Sequence, residues 1–187
     1  METEHSLAGH LLVAMPAMAD PNFAGTVTYI CEHTEAGALG LTINRPLDVD
    51  IGTVFDQLDL ESNSANILEQ RVLRGGPVQT ERGFILHESA LDWESTTKVG
   101  PSIFVTTSQD ILSDVAAGKG PDRLLMALGY SGWGAGQLDE EIRQNAWLTV
   151  PASSKIVFET PFEQRWKVAA CSIGIDPANL ILEAGHA

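Results

Sequence analysis

Residues 26–46, with the sequence TVTYICEHTEAGALGLTINRP, decide the fold, because they hold two alternating runs of apolar residues around a turn. Alternate residues from Val27 to Cys31 fall on one face of an extended segment, and the alternation returns over residues 39–43. Gly37, in the turn between them, is free to adopt a positive φ. Two runs of period two joined in this way predict a β-hairpin.

On both sides of this hairpin, strands and helices mix without strict alternation. We predict further strands at residues 72–75, 83–87, 103–105, 124–130, 147–150 and 155–158. Helices are predicted after an N-cap at Asp50, over residues 111–116 and 137–145, and from Pro161 onward. The segment 124–130 is ambiguous because leucine and methionine also favour helices, but we predict a buried strand. The mixture indicates an α+β fold rather than a doubly wound sheet.

Length and composition allow one domain over residues 1–187, with a loosely packed tail at 174–187. The chain is 44% hydrophobic and 19% charged, which is enough apolar material for a substantial core. The apolar stretch Leu7–Ala14 follows acidic rather than basic residues, so it is not predicted to be a secretory signal. Two cysteines are too few for a disulfide framework, and we expect a cytoplasmic protein.

The charge of the chain is strongly acidic. Its 11 lysines and arginines face 25 aspartates and glutamates, a formal net charge of −14, and the first basic residue is Arg45. Surfaces that bind nucleic acids or anionic lipids carry clustered basic residues. We therefore expect neither direct nucleic-acid binding nor membrane docking. We expect a protein partner instead, and a partner with a basic surface would complement the acidic chain.

Cys31 and His33 are the weak candidates for catalysis, because two residues apart on one strand they would share a face and could form a thiolate–imidazole pair. The alternative is that Cys31 is a core residue, since Val27 and Tyr29 lie on its face. Cys31, His33 and a further histidine could also hold a metal, but no second ligand motif supports this, and we expect neither a metal nor a cofactor. The remaining histidines, His5, His10, His87 and His186, are dispersed along the chain.

Four glycines at 129, 132, 134 and 136 lie between a predicted strand and a predicted helix, where a phosphate-binding loop would be found. Their spacing matches no nucleotide-binding motif. Acidic residues at 139–141 would also occupy the first helical turn, where they repel a phosphate. A tight turn packed by Trp133 is the preferred interpretation.

Three scarce arginines stand beside turns or strand ends, in Asn44-Arg45-Pro46, Arg74-Gly75-Gly76 and Arg82-Gly83. If the sheet brings them together, their guanidinium groups and the Gly75 and Gly76 amides would form a pocket for a carboxylate or phosphate. The alternative is that each arginine pairs with a carboxylate for structural reasons.

Several blocks of the sequence resemble the YqgE/AlgH family. They are LAGHLLVAMP at 7–16, DPNF at 20–23, CEH at 31–33, GALGLTINRPL at 37–47, GGPV at 75–78, RGFILH at 82–87, LGYSGW at 128–133 and GQL at 136–138. They follow the family's order and span about residues 7–170. Ser131 stands where the family usually has alanine.

The resemblance implies an α+β fold with a bifurcated, mostly antiparallel sheet bent into a pseudo-barrel and helices packed outside. The family's name refers to a proposed role in regulating alginate synthesis, and the family offers no agreed catalytic residues to transfer. We therefore expect a non-enzymatic regulatory or protein-interaction module that acts on transcription indirectly, through another protein. The alternative is a binder of a small anionic ligand, or an enzyme acting on one.

Overall fold

The structure, a computed structural model, describes residues 6–89 and 91–184. Ten strands are present: β1 (His10–Ala14), β2 (Val27–Thr34), β3 (Gly37–Thr42), β4 (Pro46–Asp50), β5 (Arg71–Arg74), β6 (Val78–His87), β7 (Thr96–Lys98), β8 (Phe104–Thr106), β9 (Leu124–Gly134) and β10 (Trp147–Pro151). Six α-helices accompany them: α1 (Ile51–Gln57), α2 (Ala65–Leu68), α3 (Asp110–Ala116), α4 (Gln137–Arg143), α5 (Arg165–Ser172) and α6 (Pro177–Ala184).

The strands form one sheet that divides at β9. The main path runs β10-β1-β2-β3-β9-β6-β8-β7. On one edge of β9, residues 131–134 pair with β3, and residues 127–128 pair with β5, which carries β4 beyond it. The other edge pairs with β6. Every pairing is antiparallel except that of β5 with β9, and the sheet curls into a half-barrel, so the predicted α+β fold with its bifurcated sheet is confirmed.

The two strands of the opening motif form the predicted hairpin, β2 and β3. The strand predicted at 124–130 is also correct, although it consists of good helix formers. The reason is burial on both faces of the sheet: Leu125 and Ala127 join one core cluster, while Leu124 and Met126 join another. A strand covered on both faces needs a continuous apolar run rather than an alternating one.

Three apolar clusters hold the helices against the sheet. The first includes Tyr29, Leu41 and Phe84, and α5 covers it through Ala169. The second lies on the opposite face of β9, under α1 and α3, and includes Phe55. The third lies under α4. There Trp133 and Trp147 both donate their indole N–H groups to one carboxylate oxygen of Glu141, at 3.0 and 2.9 Å.

Several local predictions are wrong. Residues 155–159 form a turn of π-helix rather than a strand, because their carbonyls are satisfied locally: Thr160 donates to the carbonyl of Lys155. Residues 177–184, expected in a loose tail, form α6, and Leu180 is buried. The strands β1, β4 and β7 were not foreseen. His5, His186 and the last three residues of the expected tail lie outside the described residues.

No helix within the described residues is both long enough and apolar enough to cross a bilayer.

Candidate functional site

A cleft of about 370 Å³ opens on the face of β6 and β9, between α1 and α3. Its volume falls in the range of small-molecule sites, which is roughly 300–1,000 Å³. The floor is apolar and consists of Val54, Leu58, Ile85, Leu112, Met126 and Leu128. We call this region the α1/α3 cleft.

The rim of the α1/α3 cleft is polar. Thr106, Thr107 and Ser108 follow one another along it just before α3, and Gln57 and Gln109 also line it. Thr106 is fully buried and its hydroxyl already bonds His87 and Thr96, and the hydroxyl of Ser108 donates to Asp110. Exposed Thr107 and the two glutamines therefore supply the polar groups that face a ligand. An apolar floor with a few polar groups is typical of a site that binds and orients an organic molecule.

Arg82 lines the α1/α3 cleft, next to Glu81. Its guanidinium carbon lies 5.1 Å from the centre of the Phe84 ring, a distance at which the ring attracts a cation. Arg82 is exposed, and within the described part of the chain it forms no ion pair. Phe84 belongs to the first core cluster, on the sheet face opposite the cleft floor. The Arg82 guanidinium therefore lies at the margin of the cleft rather than over its floor.

Arg74 lies on the same face of the sheet as the cleft floor. It pairs with Leu128 on one edge of β9, and Gly83 pairs with Leu128 on the other edge. Residues in one row across a sheet share a face, and both Leu128 and Gly83 line the cleft. Arg74 is exposed and, within residues 6–89 and 91–184, has no carboxylate partner either.

Arg45 is close to Arg74, but both of its terminal guanidinium nitrogens already donate to the backbone. Its Nη1 and Nη2 atoms each donate to a backbone carbonyl, of Asn22 and Ala24, at 2.8 Å. Burial lowers the pKa of Arg45, and the neighbouring charge of Arg74 lowers it further, while Asp20 acts in the opposite direction. Arg45 thus fixes the loop before β2.

Asn44 has the same structural task. Its Oδ1 accepts from the amide of Val27 at 2.8 Å, and its Nδ2 donates to the carbonyl of Gly25 at 2.9 Å. Of the predicted arginine pocket, the structure therefore places Arg82 in the lining of the cleft and Arg74 on the same face of the sheet, whereas Asn44 and Arg45 support a loop.

Gly75 and Gly76 are buried rather than exposed, contrary to the prediction. The amide of Gly75 donates to the carbonyl of Leu128 at 2.8 Å, so it is unavailable to a ligand. A Cβ at Gly76 would collide with the backbone of Tyr130, and one at Gly75 would collide with the carbonyl oxygen of Gly129. These glycines allow the close approach of two chain segments where the sheet divides.

Cys31 and His33 are separated by a β-bulge between Ile30 and Glu32, which changes the register of β2. Cys31 packs against the first core cluster. The Nδ1 atom of His33 accepts from the amide of Leu7 at 3.0 Å, and its Nε2 lies 3.4 Å from a carboxylate oxygen of Asp139. Burial raises the pKa of the Cys31 thiol, and the charge of Glu32 adds to this, which disfavours a reactive thiolate.

His87 is the histidine nearest the cleft. It is fully buried on β6, stacks on Phe104, and its Nε2 lies 2.7 Å from the hydroxyl of Thr106, a residue of the cleft rim. Burial lowers the pKa of His87. Across the described residues, no three histidine, cysteine or acidic side chains gather into a set that could hold a metal ion.

The glycine-rich segment is mostly strand, because β9 continues to Gly134. Gly136, with a φ of 72°, is the N-cap of the seven-residue α4, and Asp139 and Glu140 occupy the first turn. Trp133 packs against Phe23 and Trp147 beside this turn. The turn therefore has the structural character that the spacing and the acidic residues predict.

Sequence reasoning missed the hydroxyl-bearing rim at residues 106–108. The three consecutive hydroxyl residues are visible in the sequence, but nothing in their pattern indicates that they line a cleft. Their role in a cleft depends on α1, which lies about fifty residues earlier in the chain.

The fold and the cleft define an α+β domain with a cleft on one face of a bifurcated sheet. Comparison with known proteins specifies this class. The family profile described as DUF179, AlgH-like, matches residues 11–178. A UPF0301 protein of Ralstonia nicotianae is 53% identical over 182 residues, which cover 97% of this chain and 96% of the relative.

Comparison with solved structures supports the same family assignment. The solution structure of the AlgH protein from Pseudomonas aeruginosa is 47% identical, with a TM-score of 0.80 over 100% of this chain and 99% of the other. A crystal structure from Corynebacterium diphtheriae shares the fold, with a TM-score of 0.74 at 21% identity over 98% of this chain and 94% of the other. The chain belongs to the AlgH-like family, and the resemblance to the YqgE/AlgH proteins is confirmed.

Proposed function

We propose that the protein is a non-enzymatic regulatory module that works by binding, and that the α1/α3 cleft takes a small organic anion. The observation that carries this proposal is an apolar cleft that Arg82 and exposed polar side chains line, with Arg74 on the same face of the sheet. The apolar floor would receive the body of the ligand. An arginine at the rim would bind its carboxylate or phosphate.

The charge of the protein makes such a site selective. A net charge of −14 repels small anions from most of the surface. An anion that binds must therefore make specific contacts with a guanidinium group and with exposed polar side chains of the rim such as Thr107. The raised pKa of Cys31 and the bulge between it and His33 support binding rather than nucleophilic catalysis as the activity.

A thermal-shift screen with a panel of small carboxylates and phosphate esters tests this proposal. A ligand at about 100 times its dissociation constant stabilises the folded state by roughly 2.7 kcal/mol, enough to raise the melting temperature clearly. Arg82→Gln and Arg74→Gln should reduce the shift. Arg143→Gln is the matched control, because Arg143 lies on α4, outside the residues that line the cleft. An anion that stabilises all variants equally, or a panel without hits, would reject the proposal.

A second candidate function is the recruitment of a basic protein partner by an acidic surface. The hydrogen bond between His33 and Asp139 ties the β2–β3 hairpin to α4. The exposed carboxylates of Glu32 and Glu35 belong to the hairpin, and that of Glu140, which pairs with Arg143, belongs to α4. This arrangement gathers negative charge from two segments that are distant in sequence.

Pull-downs at low and high salt test the second candidate, because a basic partner held by exposed charges is released as salt rises. A partner retained equally at both salt concentrations, or none at low salt, would contradict it. In the version in which the acidic surface imitates DNA for a DNA-binding protein, duplex DNA should compete for the partner.

A further inference from the structure

A second groove, of about 700 Å³, lies between the π-helical turn at 155–159 and α5. Lys155 and Lys167 line it, together with the apolar side chains of Ile156 and Val168. We call it the lysine groove. It lies outside the α1/α3 cleft, and a role for it does not depend on the function proposed for that cleft.

The lysine groove has a charge opposite to that of the protein as a whole. The chain has four lysines, and two of them line this groove. Among the described residues that line it, no side chain carries a carboxylate. Both lysines are exposed, and neither forms an ion pair within the part of the chain that the structure describes.

The contribution of α5 is a continuous stripe. Gln164, Lys167, Val168 and Cys171 follow the spacing of one helical face, so a charge, an apolar side chain and polar groups lie side by side along the groove. An open groove with this arrangement suits an extended or helical segment that carries acidic residues around an apolar one. A second copy of this chain is disfavoured, because two bodies of charge −14 repel each other.

We propose that the lysine groove binds an acidic amphipathic segment of a partner protein. Its lysines would pair with carboxylates of the segment, and the partly buried Val168 would contact the apolar side chain between them, above the buried Ile156. The positive groove on a negative body would also orient the partner before contact, since the rest of the surface repels it.

The probe is a synthetic amphipathic peptide of glutamate and leucine, labelled for fluorescence anisotropy. The double variant Lys155→Glu/Lys167→Glu should weaken its binding at least about tenfold, because both attractive charges become repulsive. The matched control is Lys98→Glu/Lys119→Glu, which changes the net charge equally through two exposed lysines elsewhere on the protein. All four lysines are exposed, so both double variants should fold, which circular dichroism would verify.

Cys171 provides a second readout, because it is exposed and lines the groove. Bound peptide should slow the alkylation of Cys171 in the natural protein and in the control variant, but not in the groove variant. Equal loss of binding in both double variants would overturn the proposal, and so would peptide binding without protection of Cys171. Binding of anionic lipid vesicles in place of the peptide would assign the groove to a membrane surface and equally overturn it.

Discussion

The guanidinium of Arg165 donates a hydrogen bond to the backbone carbonyl of Ile43, which lies 122 positions earlier in the chain. Its Nε also donates to the carbonyl of Thr160 at 3.0 Å, and the group lies 4.6 Å from the centre of the Phe162 ring. Only 2% of Arg165 is exposed, and burial lowers its pKa to about 10. The residue therefore connects the start of α5 to the end of β3 and remains charged at neutral pH.

Replacing Arg165 by methionine should lower the free energy of unfolding by about 2–4 kcal/mol, because two buried carbonyls lose a charged donor. Denaturant titration measures the change. Arg143→Met is the control: its exposed ion pair with Glu140 should contribute less than about 1 kcal/mol. Equal effects of the two substitutions would show that Arg165 does not stabilise this junction.

Acidification should destabilise the protein through His87. Because burial lowers the pKa of His87 in the folded state, the unfolded state binds more protons once the pH falls below about 6.5. The free energy of unfolding should therefore decrease from pH 7 towards pH 5. Asp50 and Asp110 also have lowered pKa values, but their stabilisation is lost only as the pH falls below about 4.

Denaturant titrations across this pH range would measure how steeply the free energy of unfolding changes with pH. His87→Gln should reduce this pH dependence. Thr106→Val should leave it unchanged, because the imidazole of His87 remains buried. A slope unchanged in His87→Gln would assign the acid sensitivity to other groups.

The two cysteines should differ in reactivity. Cys171 is exposed and should be alkylated readily in the folded protein. Cys31 is partly buried with a raised thiol pKa, so its alkylation should be at least about tenfold slower. Mass spectrometry should show one adduct on the native protein, two after unfolding, and none on native Cys171→Ser. Rapid modification of Cys31 would restore it as a candidate nucleophile.

Gly76→Ala should prevent folding or cost at least about 3 kcal/mol, because the added methyl group would overlap the backbone of Tyr130, which cannot move aside easily. Gly134→Ala is the control. Among the described residues, the nearest atom to a Cβ at Gly134 would be Oε1 of Gln137, at an ordinary van der Waals distance of 3.8 Å. Thermal unfolding of the two variants gives the comparison. Similar stabilities would contradict the close approach at Gly76.

Ser131→Ala should stabilise the protein by about 0.5–2 kcal/mol, because it removes a buried hydroxyl that lacks a hydrogen-bond partner among the described residues. Thr106→Val serves as the opposite case, since the hydroxyl of Thr106 contacts both His87 and Thr96. It should destabilise the protein in the same denaturant titrations. A loss of stability in Ser131→Ala would indicate that the hydroxyl has a role in the fold.

The parts of the fold that depend on local pattern were predictable. The alternation around Gly37 predicts the hairpin, and Asp50 caps α1 as predicted, accepting from the amide of Thr53 at 2.8 Å. The π-helical turn at 155–159 was not predictable, because its short apolar run has no feature that excludes a strand.

The site was predictable only in part, since its geometry arises from contacts that are distant in sequence. The scarcity of arginine pointed to Arg74 and Arg82; Arg82 lines the cleft and Arg74 lies on the same face of the sheet. The carbonyls that occupy Arg45 come from a loop more than twenty positions earlier. A single bulge in β2 separates Cys31 from His33, and nothing in the alternation reveals it.

The central position of β9 has a consequence for synthesis of the chain. Strand pairing with β9 joins β1–β3, β4–β5 and the group of β6, β7 and β8, yet β9 begins at Leu124, about two thirds of the way along. Until the ribosome has released that segment, the nascent chain holds separate strand groups with unpaired edges. The sheet can therefore be completed only late in translation. Before β9 is available for pairing, the earlier strands are most exposed to misassociation or chaperone binding.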